Sequence, residues 1–238
     1  MHFYPNPNRT KRKARRFEPI EDPRKLPPNW LHPHTLGRKK DDYMEGGKYD
    51  DYFNGGAGDD ELDGRAGDDN LSGGAGDDQL DGGAGDDVLN GGEGNDLIDG
   101  GLGSDVLTGG KGSDRFVYGD IKESAQGARS RDVITDFSSS EDDKIDLSAI
   151  ADDSVFIGSS DFTGTKSEIR FDDGILQIST TNPRIYNYEP DSAPTPVFEI
   201  RLVGVDSLSV DDLIMSDLSD WDHNDFTVHK TLFSHSDT

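Results

Sequence analysis

The sequence contains no cysteine, few apolar residues and no long hydrophobic run. Without cysteine, disulfides cannot hold the fold. Apolar residues make up 31% of the 238 residues, below the about 45–50% typical of globular domains, so we expect no large hydrophobic core. No apolar run reaches the about 18 residues of a membrane helix, and the basic N-terminus is not followed by the apolar core of a cleaved secretory signal. We therefore expect no membrane span, and export, if it occurs, through another signal.

Motifs of common enzymes are missing as well. The chain has no HExxH zinc-protease motif, no GxSxG nucleophile elbow and no Walker A loop. Its six histidines all lie outside the repeats described below, which therefore offer no imidazole ligand for zinc. We predict a protein without catalytic activity of its own.

Charge is unevenly distributed along the chain. The formal net charge is −25, yet residues 1–40 carry 11 basic side chains against three acidic ones. The acidic remainder argues against nucleic acid as a partner, since nucleic acids are polyanions. The basic cluster at residues 11–16 has two interpretations, a disordered tail, which composition favours, and a contact with an anionic surface. Low hydrophobicity with high charge normally means disorder, so a folded chain requires a bound cation to neutralise the acids.

Composition divides the chain into four predicted segments. Residues 1–43 are basic and Pro-rich, which predicts a disordered arm. Residues 44–117 carry Gly-Asp repeats, which predict a calcium-binding β-roll. Residues 118–215 change to apolar alternation, which predicts a small β-rich domain that caps the repeats and includes a hairpin around an Asp-Asp-Gly turn. Residues 216–238 are polar and acidic, which predicts a flexible tail.

A period of nine residues runs without a gap from Gly55 to Val117. A degenerate unit at residues 46–54 precedes it and has Tyr49 in place of the third glycine, as expected where a solenoid is capped. The seven regular units are GGAGDDELD, GRAGDDNLS, GGAGDDQLD, GGAGDDVLN, GGEGNDLID, GGLGSDVLT and GGKGSDRFV.

Each unit divides into a six-residue turn and a three-residue strand. Glycine at positions 1, 2 and 4, with Arg65 as the one exception, permits positive φ angles and lets carbonyl oxygens crowd together. The carbonyl at position 5 is a further expected ligand, and the side chain there tunes local charge. Each three-residue strand turns one side chain inward, at position 8. These residues are Leu62, Leu71, Leu80, Leu89, Ile98, Leu107 and Phe116.

Two units make one 18-residue coil, so turns two units apart stack on the same edge. The position-6 carboxylates of stacked turns then face a common gap lined by carbonyl oxygens. All-oxygen ligation by two carboxylates and about six ligands in total suits Ca²⁺, whereas Mg²⁺ demands a tighter octahedron. The seven units give five stacked pairs and the degenerate unit adds a sixth, so we expect about five to six calcium ions or more.

The candidate metal ligands are of two kinds. The carboxylates belong to Asp51 of the degenerate unit and to Asp60, Asp69, Asp78, Asp87, Asp96, Asp105 and Asp114. The carbonyls belong to the position-1 and position-4 glycines, which are Gly55, Gly58, Gly64, Gly67, Gly73, Gly76, Gly82, Gly85, Gly91, Gly94, Gly100, Gly103, Gly109 and Gly112.

The pattern GGxGxDxUx resembles the RTX, or haemolysin-type, calcium-binding repeat. The resemblance covers residues 46–117 and implies an all-β fold, a right-handed parallel β-roll that continues into a small β-rich capping domain. Four further stretches are similar to the C-terminal domain of serralysin-type secreted metalloproteases, whose protease domain this chain lacks. They are DVITDF at 132–137, DKIDLS at 143–148, FIGSSDF at 156–162 and FEIRLVGV at 198–205.

These resemblances imply a secreted, extracellular calcium-binding module that folds on binding Ca²⁺ outside the cell and leaves through a type I (ABC) exporter. The chain departs from the serralysin pattern by running 23 residues beyond Leu213-Ile214-Met215, which leaves the position of an export signal open. Two alternatives remain. The chain is a subunit or fragment of an extracellular enzyme, either a serralysin-type protease or a polysaccharide-modifying enzyme, or it is a surface adhesion protein. The sequence identifies no polymer or surface ligand.

Overall fold

A computed structural model describes residues 34–124, 127, 131–151, 154–163, 167–179 and 196–215. Most of the expected arm and all of the expected tail, residues 1–33 and 216–238, lie outside the described residues. The described part is built from β-strands, with two short 3-10 turns at Ser139–Glu141 and Val210–Asp212. Within it, no helix has the length and apolar character needed to cross a membrane.

The strands of the described ranges form two sheets. Sheet A contains, in spatial order, β1 (His34–Leu36), β3 (Tyr52–Ala57), β5 (Asn70–Ala75), β7 (Val88–Glu93), β9 (Val106–Lys111), β11 (Asp132–Ile134), β16 (Phe198–Leu202), β15 (Ile175–Ser179), β14 (Glu168–Asp172) and β13 (Val155–Phe156). Sheet B contains β17 (Leu213–Ile214), β12 (Lys144–Asp146), β10 (Arg115–Val117), β8 (Leu97–Asp99), β6 (Gln79–Asp81), β4 (Glu61–Asp63) and β2 (Tyr43–Glu45).

Neighbouring strands of the repeats are parallel and offset by 18 residues. In sheet A, Leu71 pairs with Phe53 on one side and Leu89 on the other. Alternate units contribute to opposite sheets, because each glycine-rich turn carries the chain from one sheet to the other. This confirms the predicted parallel β-roll with two units in each coil.

The core of the roll is a single layer of apolar side chains between the sheets. Each short strand supplies one of them from its central position, which confirms the inward role predicted for position 8. In sheet B the buried row is Met44, Leu62, Leu80, Ile98, Phe116, Ile145 and Leu213, each paired with the next in register. The core is therefore thin, because each nine-residue unit adds one apolar side chain to it and the other residues of the unit lie mostly in the turns.

Both sheets continue past the last repeat. Strand β11 pairs in parallel with β9, and β12 pairs in parallel with β10. Beyond β11, sheet A gains β16, β15 and β14, which pair antiparallel with one another. The β14–β15 pair confirms the predicted hairpin, since Asp172 pairs with Ile175 and the intervening Asp173 and Gly174 have φ angles of 49° and 72°. The repeats and the following strands therefore share continuous sheets.

Strands also begin upstream of the repeats. The backbone of β1 pairs with β3 in the register His34 to Tyr52, and β2 begins at Tyr43, so both start within the segment predicted as an arm. Sheet pairing does not by itself divide the chain into domains, and the boundaries at residues 43, 117 and 215 stay predictions.

Candidate metal centre

The position-6 aspartates lie just before the strands, along two edges of the roll. Asp69, Asp87 and Asp105 stack on one edge, and Asp60, Asp78, Asp96 and Asp114 stack on the other. Each of the seven side chains is at most 2% exposed. Like carboxylates are thus brought into two buried columns, an arrangement that is electrostatically unfavourable without a partner.

One oxygen of each carboxylate, Oδ1, is held by the backbone of the preceding coil. Asp87 Oδ1 accepts a hydrogen bond from the N–H of Asp69 at 2.6 Å, and Asp105 Oδ1 accepts one from the N–H of Asp87 at 2.8 Å. The same bond, always 18 residues apart and 2.6–2.9 Å long, is made by Asp60, Asp69, Asp78, Asp96 and Asp114. These bonds fix the orientation of the carboxylates and therefore the direction of the second oxygen.

The second oxygen, Oδ2, is buried in all seven carboxylates and has no hydrogen-bond partner among the described residues. A buried polar atom without a partner costs about 1–3 kcal/mol, and more when the group is charged. Seven such atoms at equivalent positions are too regular to be accidents of packing. They are the feature that a bound cation would explain.

Glycine at position 1 keeps space open beside Oδ2. A Cβ added to Gly82 would lie 2.5 Å from Asp87 Oδ2 and 2.5 Å from the carbonyl oxygen of Gly100 in the next stacked turn. A side chain there would fill the place where a carboxylate oxygen and a carbonyl oxygen approach each other. Glycine therefore leaves room for oxygens from two successive turns around one point.

Burial raises the pKa of every position-6 carboxyl, against the opposing effect of the backbone hydrogen bond. The pKa rises to about 8 for Asp69 and Asp105 and to about 7 for Asp96, with stacked aspartates adding to the rise. For the remaining four it rises to about 6, namely Asp60, Asp78, Asp87 and Asp114. In the absence of metal these groups hold protons more tightly than exposed aspartates do, mainly because burial disfavours the charged form.

Position 5 forms a second ladder in the opposite direction. Asp68 Oδ1 accepts a hydrogen bond from the N–H of Asp86 at 3.0 Å, and Asp86 Oδ1 accepts one from the N–H of Ser104 at 3.1 Å. These side chains are exposed, unlike those at position 6. The sequence analysis gave them only a role in local charge, whereas the structure shows that they also connect successive coils.

The donor set fits calcium. At Gly55, Gly64, Gly82 and Gly91, the groups that approach each other are hard oxygen atoms, from a carboxylate and from a glycine carbonyl. Ca²⁺ prefers such ligands in flexible geometry. Within the described ranges, no three acidic or imidazole side chains converge on one point. A site here would therefore combine two carboxylates with backbone carbonyls, as the spacing predicts.

The predicted carbonyl donors occupy two environments. The position-1 glycines lie against the position-6 carboxylates, as at Gly82. The position-4 glycines have φ angles between 120° and 153° and pack on the backbone of the turn 18 residues earlier. They are Gly58, Gly67, Gly76, Gly85, Gly94, Gly103 and Gly112.

Asp51 of the degenerate unit differs from the other candidates. Its Oδ2 accepts a hydrogen bond from the N–H of Gly47 at 2.9 Å, so this carboxylate is satisfied within its own turn. At the start of the other column Asp42 Oδ2 accepts a bond from the N–H of Arg38 at 2.7 Å. In the first turns, backbone N–H groups therefore occupy the carboxylate oxygens that have no partner in the regular units.

Two aspartates beyond the repeats also join the columns. Asp132 Oδ1 accepts from the N–H of Asp105, and Asp143 Oδ1 accepts from the N–H of Asp114. The sequence analysis did not include them because the spacing changes from 18 to 27 and 29 residues. The available signal was an aspartate just before an apolar strand, in DVI and DKI.

Comparisons with known proteins agree with the repeat pattern. A family model described as RTX calcium-binding nonapeptide repeat (4 copies) matches residues 37–71, 63–98 and 91–120. A search of curated proteins found no match.

Two solved structures are similar to parts of the chain. The AlgE6R3 subunit of the Azotobacter vinelandii mannuronan C5-epimerase is 35% identical, with 62% of this chain and 77% of that subunit covered and a TM-score of 0.43. The AlgE6R2 subunit of the same enzyme is 22% identical, with 77% and 91% covered and a TM-score of 0.35. Both TM-scores lie below 0.5. Residues 37–120 of the chain therefore match the RTX calcium-binding nonapeptide-repeat family.

Proposed function

We propose that this protein is a calcium-binding module whose β-roll forms together with its metal sites. The observation that carries the proposal is the set of seven buried Oδ2 atoms without a hydrogen-bond partner in the described residues. Calcium ions in the gaps between stacked turns would give each of these atoms a partner and would offset the repulsion within each column. Binding free energy would then become folding free energy.

The positions of these oxygens support at least five sites. Five gaps lie between position-6 aspartates of the regular units, and each is bordered by two carboxylates whose Oδ2 atoms are free of hydrogen bonds to described residues. The sixth gap, between Asp51 and Asp69, contains one carboxylate that Gly47 already satisfies. We propose that this gap binds calcium more weakly than the other five.

We propose an extracellular role because extracellular calcium modules require more calcium than the cytosol provides. Extracellular calcium modules bind with dissociation constants of about 10⁻⁴–10⁻³ M, far above the calcium concentration of the cytosol. A chain with such sites would stay unfolded inside the cell and fold after export. A type I exporter, which passes unfolded chains, is the export route that we propose.

Two variants of neighbouring residues test the proposal. Asp87→Asn removes charge from a buried carboxylate bordering two gaps, whereas Asp86→Asn removes charge from an exposed position-5 side chain one residue away. We expect Asp87→Asn to lose calcium, counted by native mass spectrometry, and to require more calcium for folding, followed by circular dichroism. Asp86→Asn should titrate close to wild type. Equal behaviour of the two variants, or a wild-type chain that binds no calcium, would refute the proposal.

We also propose that the chain has no catalytic activity of its own, because it lacks the HExxH, GxSxG and Walker A motifs. The purified full chain, loaded with Ca²⁺ and supplied with Zn²⁺, should leave casein and common polysaccharides intact. Activity that copurifies with the chain through several columns would favour the alternative of an enzyme subunit.

A further inference from the structure

The outer surface of sheet A differs in charge from the rest of the roll. Its outward side chains from β3 to β11 are uncharged, although the formal net charge of the chain is −25. We propose that a second copy of this chain docks on this surface, so that two rolls associate weakly and symmetrically. The inference concerns the outside of the roll and goes beyond the proposed calcium binding, which uses the turns.

Position 9 of the repeats alternates between two kinds of residue with a period of 18. In sheet B, three successive strands end on Asp63, Asp81 and Asp99. In sheet A the same position is uncharged, and its side chain points outward because position 8 points inward. The row continues past the repeats, since the Oγ1 atoms of its last two residues lie 2.8 Å apart. It consists of Asn54, Ser72, Asn90, Thr108 and Thr135.

Position 7 forms a second uncharged row on the same surface. Val88 and Val106 are neighbours in register and are 43% and 38% exposed. Two apolar side chains are thus exposed side by side near the middle of the surface. The row consists of Tyr52, Asn70, Val88, Val106 and Val133. We call the two rows together the neutral face.

The aspartates of sheet B have a local role that has no counterpart in sheet A. Asp99 Oδ1 accepts a hydrogen bond from the N–H of Gly101 at 3.0 Å, in the turn that follows β8. Asp146 Oδ1 accepts one from the N–H of Ser148 at 2.9 Å, after β12. The repeat strands of sheet A are six residues long and continue past position 9, so they have no turn to cap there. Turn capping explains aspartate in sheet B, but it does not explain why sheet A lacks lysine and glutamate as well.

Net charge decides which surfaces two copies can share. Copies of a chain with a formal net charge of −25 repel each other, and calcium in the proposed sites would offset only part of that charge. Acidic side chains are exposed on the turns, at Asp68 and Asp86, and on sheet B, at Glu61. Contact through the neutral face keeps these carboxylates apart. At its border, the exposed side chains of Glu93 and Lys111 lie 2.6 Å apart and neutralise each other.

The size of the neutral face predicts a weak complex. Its five strands, spaced about 4.8 Å apart, cover about 24 Å, and a six-residue strand is about 20 Å long. Each copy would therefore bury roughly 500 Å², which gives roughly 1,000 Å² in total. Stable complexes bury about 1,200–2,000 Å², so we expect the dimer to dissociate on dilution.

A symmetric contact makes the central strand the most sensitive part of the neutral face. In a two-fold dimer both copies use the same surface, and residues near the axis meet their own counterparts. Strand β7 is the middle one of the five, so its outward residues Val88 and Asn90 lie nearest to an axis through the centre of the face. A charge added at either residue would face the same charge on the other copy, which disfavours the contact.

The test measures dimer formation by the full chain in saturating calcium, using sedimentation velocity from about 1 μM to about 1 mM. We expect the wild type to dimerise reversibly and Asn90→Asp to raise the dissociation constant at least about tenfold. Gln79→Glu adds the same charge at an exposed position of sheet B and should dimerise like the wild type. Circular dichroism checks that all three chains are folded.

A second variant distinguishes a symmetric contact from general repulsion. Val88→Lys makes the net charge less negative, so it would strengthen dimerisation if overall charge alone mattered. At a symmetric contact two lysines face each other, and we expect weaker dimerisation than in the wild type. Stronger dimerisation of Val88→Lys would contradict the inference.

Two further results would overturn the inference. One is a wild type that stays monomeric up to about 1 mM, including a monomer that instead binds an immobilised neutral polysaccharide. The other is equal weakening by Asn90→Asp and Gln79→Glu. Native mass spectrometry of the same samples counts bound calcium, so a monomer that still binds calcium leaves the proposed function standing, whereas a dimer without calcium removes the proposed function alone.

Discussion

The stacked aspartates form different hydrogen bonds in the middle of the roll and at its ends. Along the regular units, each position-6 aspartate uses Oδ1 to bind the preceding coil and leaves Oδ2 buried without a partner in the described residues. At the ends, Asp42 and Asp51 each accept a backbone hydrogen bond through Oδ2, from the N–H groups of Arg38 and Gly47. Asp143 accepts one through each oxygen, from the N–H groups of Asp114 and Ser138. Protein donors therefore satisfy these end carboxylates, whereas the Oδ2 atoms in the middle have no partner among the described residues, as the proposed calcium sites require.

The two regions also differ in their apolar cores. In the repeats each strand buries one side chain, such as Leu89. Beyond them, β16 buries Phe198, Ile200 and Leu202, and Tyr118 packs against this group. Because apolar burial stabilises by about 25 cal/mol per Å², the C-terminal strands have more stabilisation that does not depend on metal.

The largest expected effect is therefore regional unfolding on removal of calcium. Excess EGTA should raise amide hydrogen exchange most in residues 55–117 and least in β14, β15 and β16, because the first region loses its charge compensation and the second keeps its apolar core. Hydrogen-exchange mass spectrometry of the full chain measures both regions at once. Uniform exchange along the sheets would show that the two regions unfold as one unit.

A change in the apolar layer should come next in size. Leu89→Ala removes a fully buried side chain from a core one residue thick, and we expect the calcium-loaded protein to lose about 2–5 kcal/mol of unfolding free energy. Val88→Ala, at an exposed neighbouring position, is the control and should change stability little. Urea denaturation in saturating calcium gives both values.

A pH effect should distinguish the metal-free roll from the loaded one. Burial raises the pKa of Asp69 to about 8 and that of Asp96 to about 7 in the folded state, above the about 3.9 of an unfolded aspartate. These groups stabilise the metal-free roll fully below the unfolded pKa, and the stabilisation is lost as pH rises through the folded values.

In EGTA, strand content should therefore increase when pH is lowered from about 8 to about 5. In calcium the trend reverses, because protons compete with the metal for the carboxylates and weaken binding. Circular dichroism at several pH values with and without calcium checks both trends. Parallel trends in the two conditions would mean that the position-6 aspartates do not bind the metal.

The smallest effect is expected at the one position-2 residue that is not glycine. Arg65 has a φ angle of 71° and forms ion pairs with Glu45 and Asp63. Arg65→Gly removes partly exposed ion pairs but relieves a backbone conformation that favours glycine, so the change in unfolding free energy should stay within about 1 kcal/mol. Thermal denaturation in calcium measures it. A large loss of stability would mean that these ion pairs hold the first coils together.

The sequence predicted the regular part of the structure well because one short period specifies it. Aspartate at position 6 and an apolar residue at position 8 are enough to predict two units in each coil, and the pairing of Leu71 with Leu89 confirms this register. The period also predicts which carboxylates lie together.

The same period could not predict where the columns end. Asp132 and Asp143 join them after connections of 27 and 29 residues, and nothing in a nine-residue repeat encodes those lengths. The sequence also could not predict that Oδ1 accepts a backbone hydrogen bond while Oδ2 has no partner among the described residues. This difference depends on the position of one backbone N–H in the neighbouring coil. Strand β1 was missed because its pairing with β3 depends on backbone contacts rather than on a repeated pattern.

The most direct test of the account is a calcium titration of the full wild-type chain, starting in excess EGTA and followed by far-ultraviolet circular dichroism at neutral pH. We predict that most of the strand signal is absent at the start and appears cooperatively as calcium is added, since each coil contacts only its neighbours. A full strand spectrum in EGTA that calcium leaves unchanged would show that the roll is stable without the metal.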